Sequence, residues 1–219
     1  MDNNVKRAYK VKAETIIKNL NKRNMEGFYC ETKEEAKEKV LSLINKDDTV
    51  SWGGTMTVEE LGIKEVLKES NYKVIDRDEA KTPEERSRLM KEGLMADVFL
   101  SSTNAITMDG ELINIDGNGN RIAAFCYGPD SLIVVAGMNK VSRDVESGIK
   151  RVRTDACVPN AVRFNVNTPC ALTGVCSDCK IPSTICGHIL ITRFSKLQNR
   201  IKVVLVGETT WILINAELC

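Results

Sequence analysis

With 219 residues, 42% hydrophobic and 28% charged, the chain can bury one large core and reads as a single domain over 1–219. Thirty-one basic against thirty acidic side chains leave a net charge of +1, which gives no electrostatic case for nucleic acid or an anionic membrane as partner. No apolar run approaches the roughly 18 residues of a membrane-spanning helix. The charged start, Met1-Asp2-Asn3-Asn4-Val5-Lys6-Arg7, lacks the apolar stretch of a secretory signal, so the expected location is the reducing cytoplasm.

Val5, Ala8, Tyr9, Ile16 and Leu20 recur on one face of a helix over about 5–24. Thr32 opens a second, with Glu35 completing a capping box and Ala36, Val40, Leu43 and Ile44 forming its apolar stripe. A strand follows at 49–52, and Thr57 with Glu60 heads a helix that runs to about Ser70. Residues 72–75 form a strand, and Thr82-Pro83-Glu84-Glu85 starts a helix with proline first. The continuous apolar runs 97–100, 132–136 and 201–206 suit strands buried on both faces. The fold class is α/β, with an open, largely parallel sheet and helices on both faces.

Ligands in such folds gather at the carboxyl ends of strands. The first loop there is Ser51-Trp52-Gly53-Gly54-Thr55-Met56-Thr57. Its two glycines admit an anion close to the backbone while Thr55, Thr57 and the helix amides supply donors, a pattern that a plain tight turn also satisfies. A second region collects Asn104, Asn114, Asp116, Gly117, Gly119, Asn120 and Arg121, with Asn139 and Lys140 beyond the next strand. A hairpin turn needs no fixed donors on both sides, so a polar pocket is the better reading. Asp116 is the leading acid–base candidate, with Glu208 a weaker one, while Arg121 and Lys140 suit neutralising a substrate carboxylate or phosphate. His188 is the only histidine, which excludes histidine triads and two-histidine metal sites within the chain.

Four of the eight cysteines follow the pattern Cys170-x5-Cys176-x2-Cys179-x6-Cys186 in a loop over about 168–188. Such a Pro/Gly-bearing loop, in a reducing compartment, points to thiolate ligands rather than disulfides. Four sulfurs accept a 4Fe–4S cluster or tetrahedral zinc, and the long arms favour the bulkier cluster. His188 is either a substitute ligand or, on the plainer reading, a residue entering a strand. The cysteine loop and the Asp116 loop are expected to flank one sheet and face one shared cleft.

The run SSTNAITMDGELINIDGNGNRIAAFCYGPDSLIVVAGMNK, with SWGGTMTVEELG before it and TPCALTGVCSDCKIPSTICG after it, resembles the lactate-utilisation (LUD) domain family over about 28–208. The resemblance implies a fold like that of ribose-5-phosphate isomerase, glucosamine-6-phosphate deaminase and the CoA-transferases. It implies that Gly53, Gly54, Thr55, Thr57, Asn104, Asn114, Asp116, Gly117, Gly119, Asn120, Arg121, Asn139 and Lys140 occupy family motif positions. Asn160 and Arg163 carry over from the segment after Ala156-Cys157, where relatives have Ala-Pro-x-Asn and a basic residue. The four-cysteine loop marks a subset of short stand-alone members, whereas the tail from Thr209 to Cys219 departs from the family pattern. Two readings follow: an iron–sulfur oxidoreductase component of lactate or pyruvate metabolism that binds a small carboxylate or phosphorylated metabolite and works with a redox partner subunit, or a non-catalytic metabolite-binding or regulatory module with structural zinc. Self-association is open in either case.

Overall fold

The computed structural model describes residues 1–210. In chain order these form α1 (Asn3–Lys22), β1 (Glu26–Cys30), α2 (Lys33–Ser42), β2 (Thr49–Trp52), α3 (Met56–Glu60), α4 (Ile63–Glu69), β3 (Lys73–Ile75), α5 (Pro83–Glu92), β4 (Val98–Ser101), β5 (Ala105–Thr107) and β6 (Leu112–Asp116). There follow α6 (Asn120–Cys126), β7 (Ser131–Gly137), β8 (Val141–Ser142), α7 (Val145–Arg151), α8 (Cys157–Arg163), α9 (Pro169–Thr173), β9 (His188–Thr192) and β10 (Ile201–Val206). A π-helical turn, Val152–Ala156, joins α7 to α8. The departing tail from Trp211 to Cys219 lies outside the described residues.

Six strands form a wholly parallel sheet in the order β1-β10-β7-β4-β2-β3. Strand alternation sorts its side chains between two cores. Leu132, Val134 and Ala136 of β7 face α1 and α6, packing with Ile16, Leu20 and Phe125, while Ile133 and Val135 face Ala36, Val40 and Leu67 of α2 and α4. Both faces are therefore covered by helices, which is why these strands read as continuous apolar runs. Among the described residues no helix is long and apolar enough to cross a membrane.

A second sheet, order β8-β5-β6-β9, was not expected from the sequence. Its strands are two to five residues long, and two of its three strand pairings are antiparallel, β5 with β6 and β6 with β9, while β5 and β8 run parallel. The Asp116 loop and the cysteine loop thus belong to this sheet rather than to the main one. Its inner face packs Ala105, Ile113 and Ile115 on Val152, Ala156 and Cys157 around the π-helical turn.

Two helix starts differ from expectation. Thr32 caps α2 by accepting from Glu35 N at 3.2 Å, but the Glu35 carboxylate reaches back to Glu31 N at 2.8 Å, one residue earlier than a reciprocal box requires. The helix expected from Thr57 is capped instead by Thr55, whose hydroxyl accepts from Val58 N, and it breaks at Gly62, where φ is +63°. A side chain resists that backbone conformation, so the glycine splits one expected helix into α3 and α4. Thr57 is left inside α3 with its hydroxyl available to the site.

Candidate functional site

The loops after β2, β4 and β7 of the main sheet meet the end of β6, the segment before β9 and the helix α8 around a cleft of about 530 Å³. That volume suits one small molecule. Gly54, Thr55, Thr57, Asn104, Asp116, Gly117, Asn120, Arg121, Lys140, Asn160 and Arg163 line it, together with Arg77, Cys157, Thr184 and Ile185.

Arg121 is buried and fully engaged. Its Nη1 donates to Ser102 O at 3.0 Å and Asn114 Oδ1 at 2.6 Å, and its Nη2 donates to Asn104 Oδ1 at 3.0 Å and Ile115 O at 2.9 Å. Its Nε lies 3.3 Å from Asp116 Oδ2. A guanidinium has five N–H donors, so none is left over for a ligand. Burial pulls its pKa down and Asp116 opposes that pull; an arginine stays charged throughout. Asp116 is committed in turn, since its Oδ1 accepts from Gly119 N at 2.8 Å and holds the turn where Gly119 sits at φ +84°. Arg121 and Asp116 therefore brace the cleft wall, joining β6 to the loop after β4. Gly53 belongs to the same brace, because a Cβ there would stand 2.8 Å from Arg121 Cγ.

Lys140 is the cation with different surroundings. It is 4% exposed, and its Nζ donates to Thr57 Oγ1 at 2.9 Å and Ser102 Oγ at 2.8 Å. Burial, then Arg151, then Arg121 push its pKa down from 10.5 to about 7, against a small upward pull from Glu60. The unfolded chain keeps this proton up to its ordinary pKa, while the folded chain releases it near pH 7. Stability accordingly rises with pH between those values, and the cost of the buried ammonium is fully present below the lower one. The unfolding free energy of the wild type relative to Lys140→Met is expected to climb by about 2–4 kcal/mol between pH 7 and 10. A flat difference in urea titrations across that range would show that the lysine titrates normally.

Arg77, from a short 3₁₀ turn after β3, was not singled out from the sequence. Its Nε is buried without a hydrogen-bond partner, and its Nη2 lies over Gly54, where a Cβ would stand 2.7 Å away. A cation directly after a parallel strand was the available signal, since such strand ends face the ligand side. The residues Asn114, Gly119 and Asn139 are not cleft-lining. Asn114 supports Arg121 and has a buried Nδ2 without a partner, Gly119 packs against the His188 ring, and Asn139 bonds Thr210. Asn160 Nδ2 donates back to Ala156 O at 2.8 Å, and its Oδ1 accepts from Arg163, whose guanidinium stacks on Phe164. Glu208 sits elsewhere, accepting from Lys33 N at the start of α2.

The cysteine loop abuts the Asp116 loop. β9 pairs antiparallel with β6 so that His188 stands opposite Asp116, and a Cβ on Gly187 would lie 2.7 Å from Gly117 O. Thr184 and Ile185 thereby reach the cleft. His188 enters the strand, on its plainer reading, and is exposed. The sulfur contact nearest the cleft involves Cys157, which the sequence pattern did not include: its Sγ is 3.4 Å from Cys186 Sγ. Cys157 is the more buried of the two and is surrounded by Cys186, Cys176 and Cys170, so its thiol is pushed up, while Cys186 is drawn down to about 7 by the shared hydrogen bond. Cys170 is buried beside Thr168 Oγ1 at 3.3 Å, and Cys179 points to Thr184 Oγ1 at 3.8 Å. Among the described residues no three His, Cys, Asp or Glu side chains are grouped so as to hold a metal ion. The four loop sulfurs, as placed, do not make a ready metal site.

Fold and cleft together define an α/β protein with a braced, cation-bearing cleft between a parallel sheet and a smaller mixed one. The chain belongs to the LUD domain family, whose model matches residues 13–206. It is similar over 90% of its length, and over 98% of the other chain, to the crystal structure of a DUF162 family protein from Deinococcus radiodurans, with a TM-score of 0.54 at 13% identity. That likeness shows a shared fold. Partial similarity extends to eIF2B delta from Chaetomium thermophilum, with a TM-score of 0.36 at 18% identity over 54% of this chain and 50% of that one. It extends also to ribose 5-phosphate isomerase A from Neisseria gonorrhoeae, with a TM-score of 0.33 at 15% identity over 52% of this chain and 56% of that one. No curated protein matches the sequence.

Proposed function

We propose that the cleft binds a small metabolite bearing a carboxylate or phosphate, in keeping with a family associated with lactate utilisation. The observation that carries this reading is the pair of cations, Lys140 and Arg77, set around Gly54. Lys140 has only hydroxyl partners, and Arg77 holds a buried Nε that makes no hydrogen bond, its nearest carboxylate oxygen being Asp78 Oδ1 at 3.8 Å. Buried charge of this kind is stabilised by an incoming anion, and charge-assisted bonds to it are the strong ones. Calorimetric titration with pyruvate, lactate and inorganic phosphate tests it. At least one is expected to bind the wild type, and Arg77→Ala or Lys140→Met to weaken that binding roughly tenfold or more. Equal affinity in both variants would overturn the assignment.

The cysteine loop favours a second element of the same reading. Its contact with the Asp116 loop and the approach of Cys157 to Cys186 support a thiolate-bound iron–sulfur cluster, or zinc, beside the cleft, as in an oxidoreductase component that serves a redox partner subunit. Because the sulfurs as placed do not form a ready site, no chemical step is assigned to such a centre. Elemental analysis for iron, sulfide and zinc after anaerobic purification decides between them. The Cys176→Ser/Cys179→Ser variant is expected to lose the metal and Cys30→Ser to keep it; full loading of the double variant would refute the ligand assignment.

A further inference from the structure

Anion binding accounts for the charge in the cleft but not for the surroundings of Lys140. Among the described residues no carboxylate lies within ion-pair distance of its Nζ; the charged groups that act on it are Arg151 of α7, Arg121 of α6 and, with opposite sign, Glu60 of α3. Two guanidinium groups next to a buried amine disfavour a third positive charge. Arginine does not give up its proton, so the lysine is the group that adapts. The two hydroxyls that hold it, of Thr57 and Ser102, both accept from an ammonium, and one of them can donate to the single lone pair of a neutral amine while the other still accepts, so the cradle serves both protonation states. Among the described residues the cradle offers the amine two hydroxyls and no carboxylate, so no counter-ion fixes it as a cation.

We propose that Lys140 is a nucleophilic amine that captures the carbonyl carbon of a 2-oxo acid as an iminium adduct. The proposal rests on the cleft being the anion site argued above and adds a covalent step to it. Thr57, which holds Lys140, is three residues from Gly54, over which Arg77 lies, so one turn of chain links the amine to a guanidinium suited to the adjacent carboxylate. In the step, the neutral Nζ adds to the carbonyl carbon and loses a proton, while the carbonyl oxygen takes one up, giving a carbinolamine. A further proton then carries that oxygen away as water, leaving a carbon–nitrogen double bond and one positive charge. The Thr57 and Ser102 hydroxyls are placed to pass these protons. No electrons leave or enter the system.

Trapping with sodium cyanoborohydride, which delivers a hydride to an iminium carbon, tests this directly. The full chain is incubated with pyruvate or 2-oxobutyrate plus the hydride donor, with lactate as the carbonyl-free control, and mapped by peptide mass spectrometry. The expected result is one secondary-amine adduct at Lys140 with the oxo acids and none with lactate. The adduct should be lost in Lys140→Ala and in Lys140→Arg, the latter keeping the charge and guarding against a folding defect. An adduct spread evenly over surface lysines would overturn the proposal. So would its absence while pyruvate still binds in calorimetry, and that outcome would leave the anion site standing. No adduct together with no binding of pyruvate, lactate or phosphate would sink both.

Discussion

Replacing Arg121 by methionine is expected to cost about 3–5 kcal/mol of unfolding free energy, the range for stranding a buried charge with its hydrogen-bond partners. The side chain serves Ser102 O, Asn104 Oδ1, Asn114 Oδ1 and Ile115 O, and it neutralises Asp116. Methionine fills the space but offers no donor, so four acceptors and a carboxylate lose their partner at once. Arg121→Lys should recover part of the loss, since an ammonium has three donors where five are used. Urea unfolding would show the midpoint falling with little change in slope. A variant within about 1 kcal/mol of wild type would mean that the brace is dispensable.

Gly54→Val is expected to act on binding far more than on stability. A Cβ at Gly54 meets Arg77 Nη2 at 2.7 Å and Arg77 Cζ at 3.9 Å, with no other protein atom in ordinary contact. The backbone there is not left-handed, so steric displacement of Arg77 and occlusion of the cleft, rather than strain, produce the effect. Losing one charge-assisted grip corresponds to roughly a 10- to 100-fold drop in affinity for pyruvate or phosphate. Gly53→Ala makes the useful contrast, because it presses on the stem of Arg121 and should lower stability. Ligand protection left unchanged in a thermal-shift series with Gly54→Val would place the anion elsewhere.

The parts of the molecule legible in the sequence are those where one physical signal dominates. The strands β4, β7 and β10 read as nearly continuous apolar runs, and Pro83 with Thr82 marks the start of α5, so neither has a competing reading. Gly54, Thr57 and Lys140 converge on one cleft because the strand ends of the parallel sheet converge, and Asp116 joins them from the second sheet. Less was legible where tertiary context decides. The second sheet is built from short strands whose pairing is set by the packing of Ile113 and Ile115 on the π-helical turn. Nothing local in the sequence announces that turn, which brings Cys157 to Cys186. The roles within the cleft were hidden for a similar reason. Arg121 and Lys140 are both cations beside glycine- and asparagine-rich loops, and only their partners reveal that one braces the wall while the other lines the cleft on two hydroxyls.

The central claim is that an anion binds between Gly54 and Lys140. A crystal structure of the chain grown with saturating pyruvate tests it most directly. The account predicts pyruvate in the cleft, its carboxylate on Arg77 above Gly54 and its carbonyl carbon at Lys140 Nζ. An empty cleft at saturating pyruvate, or pyruvate bound only away from Gly54, Arg77 and Lys140, would contradict it.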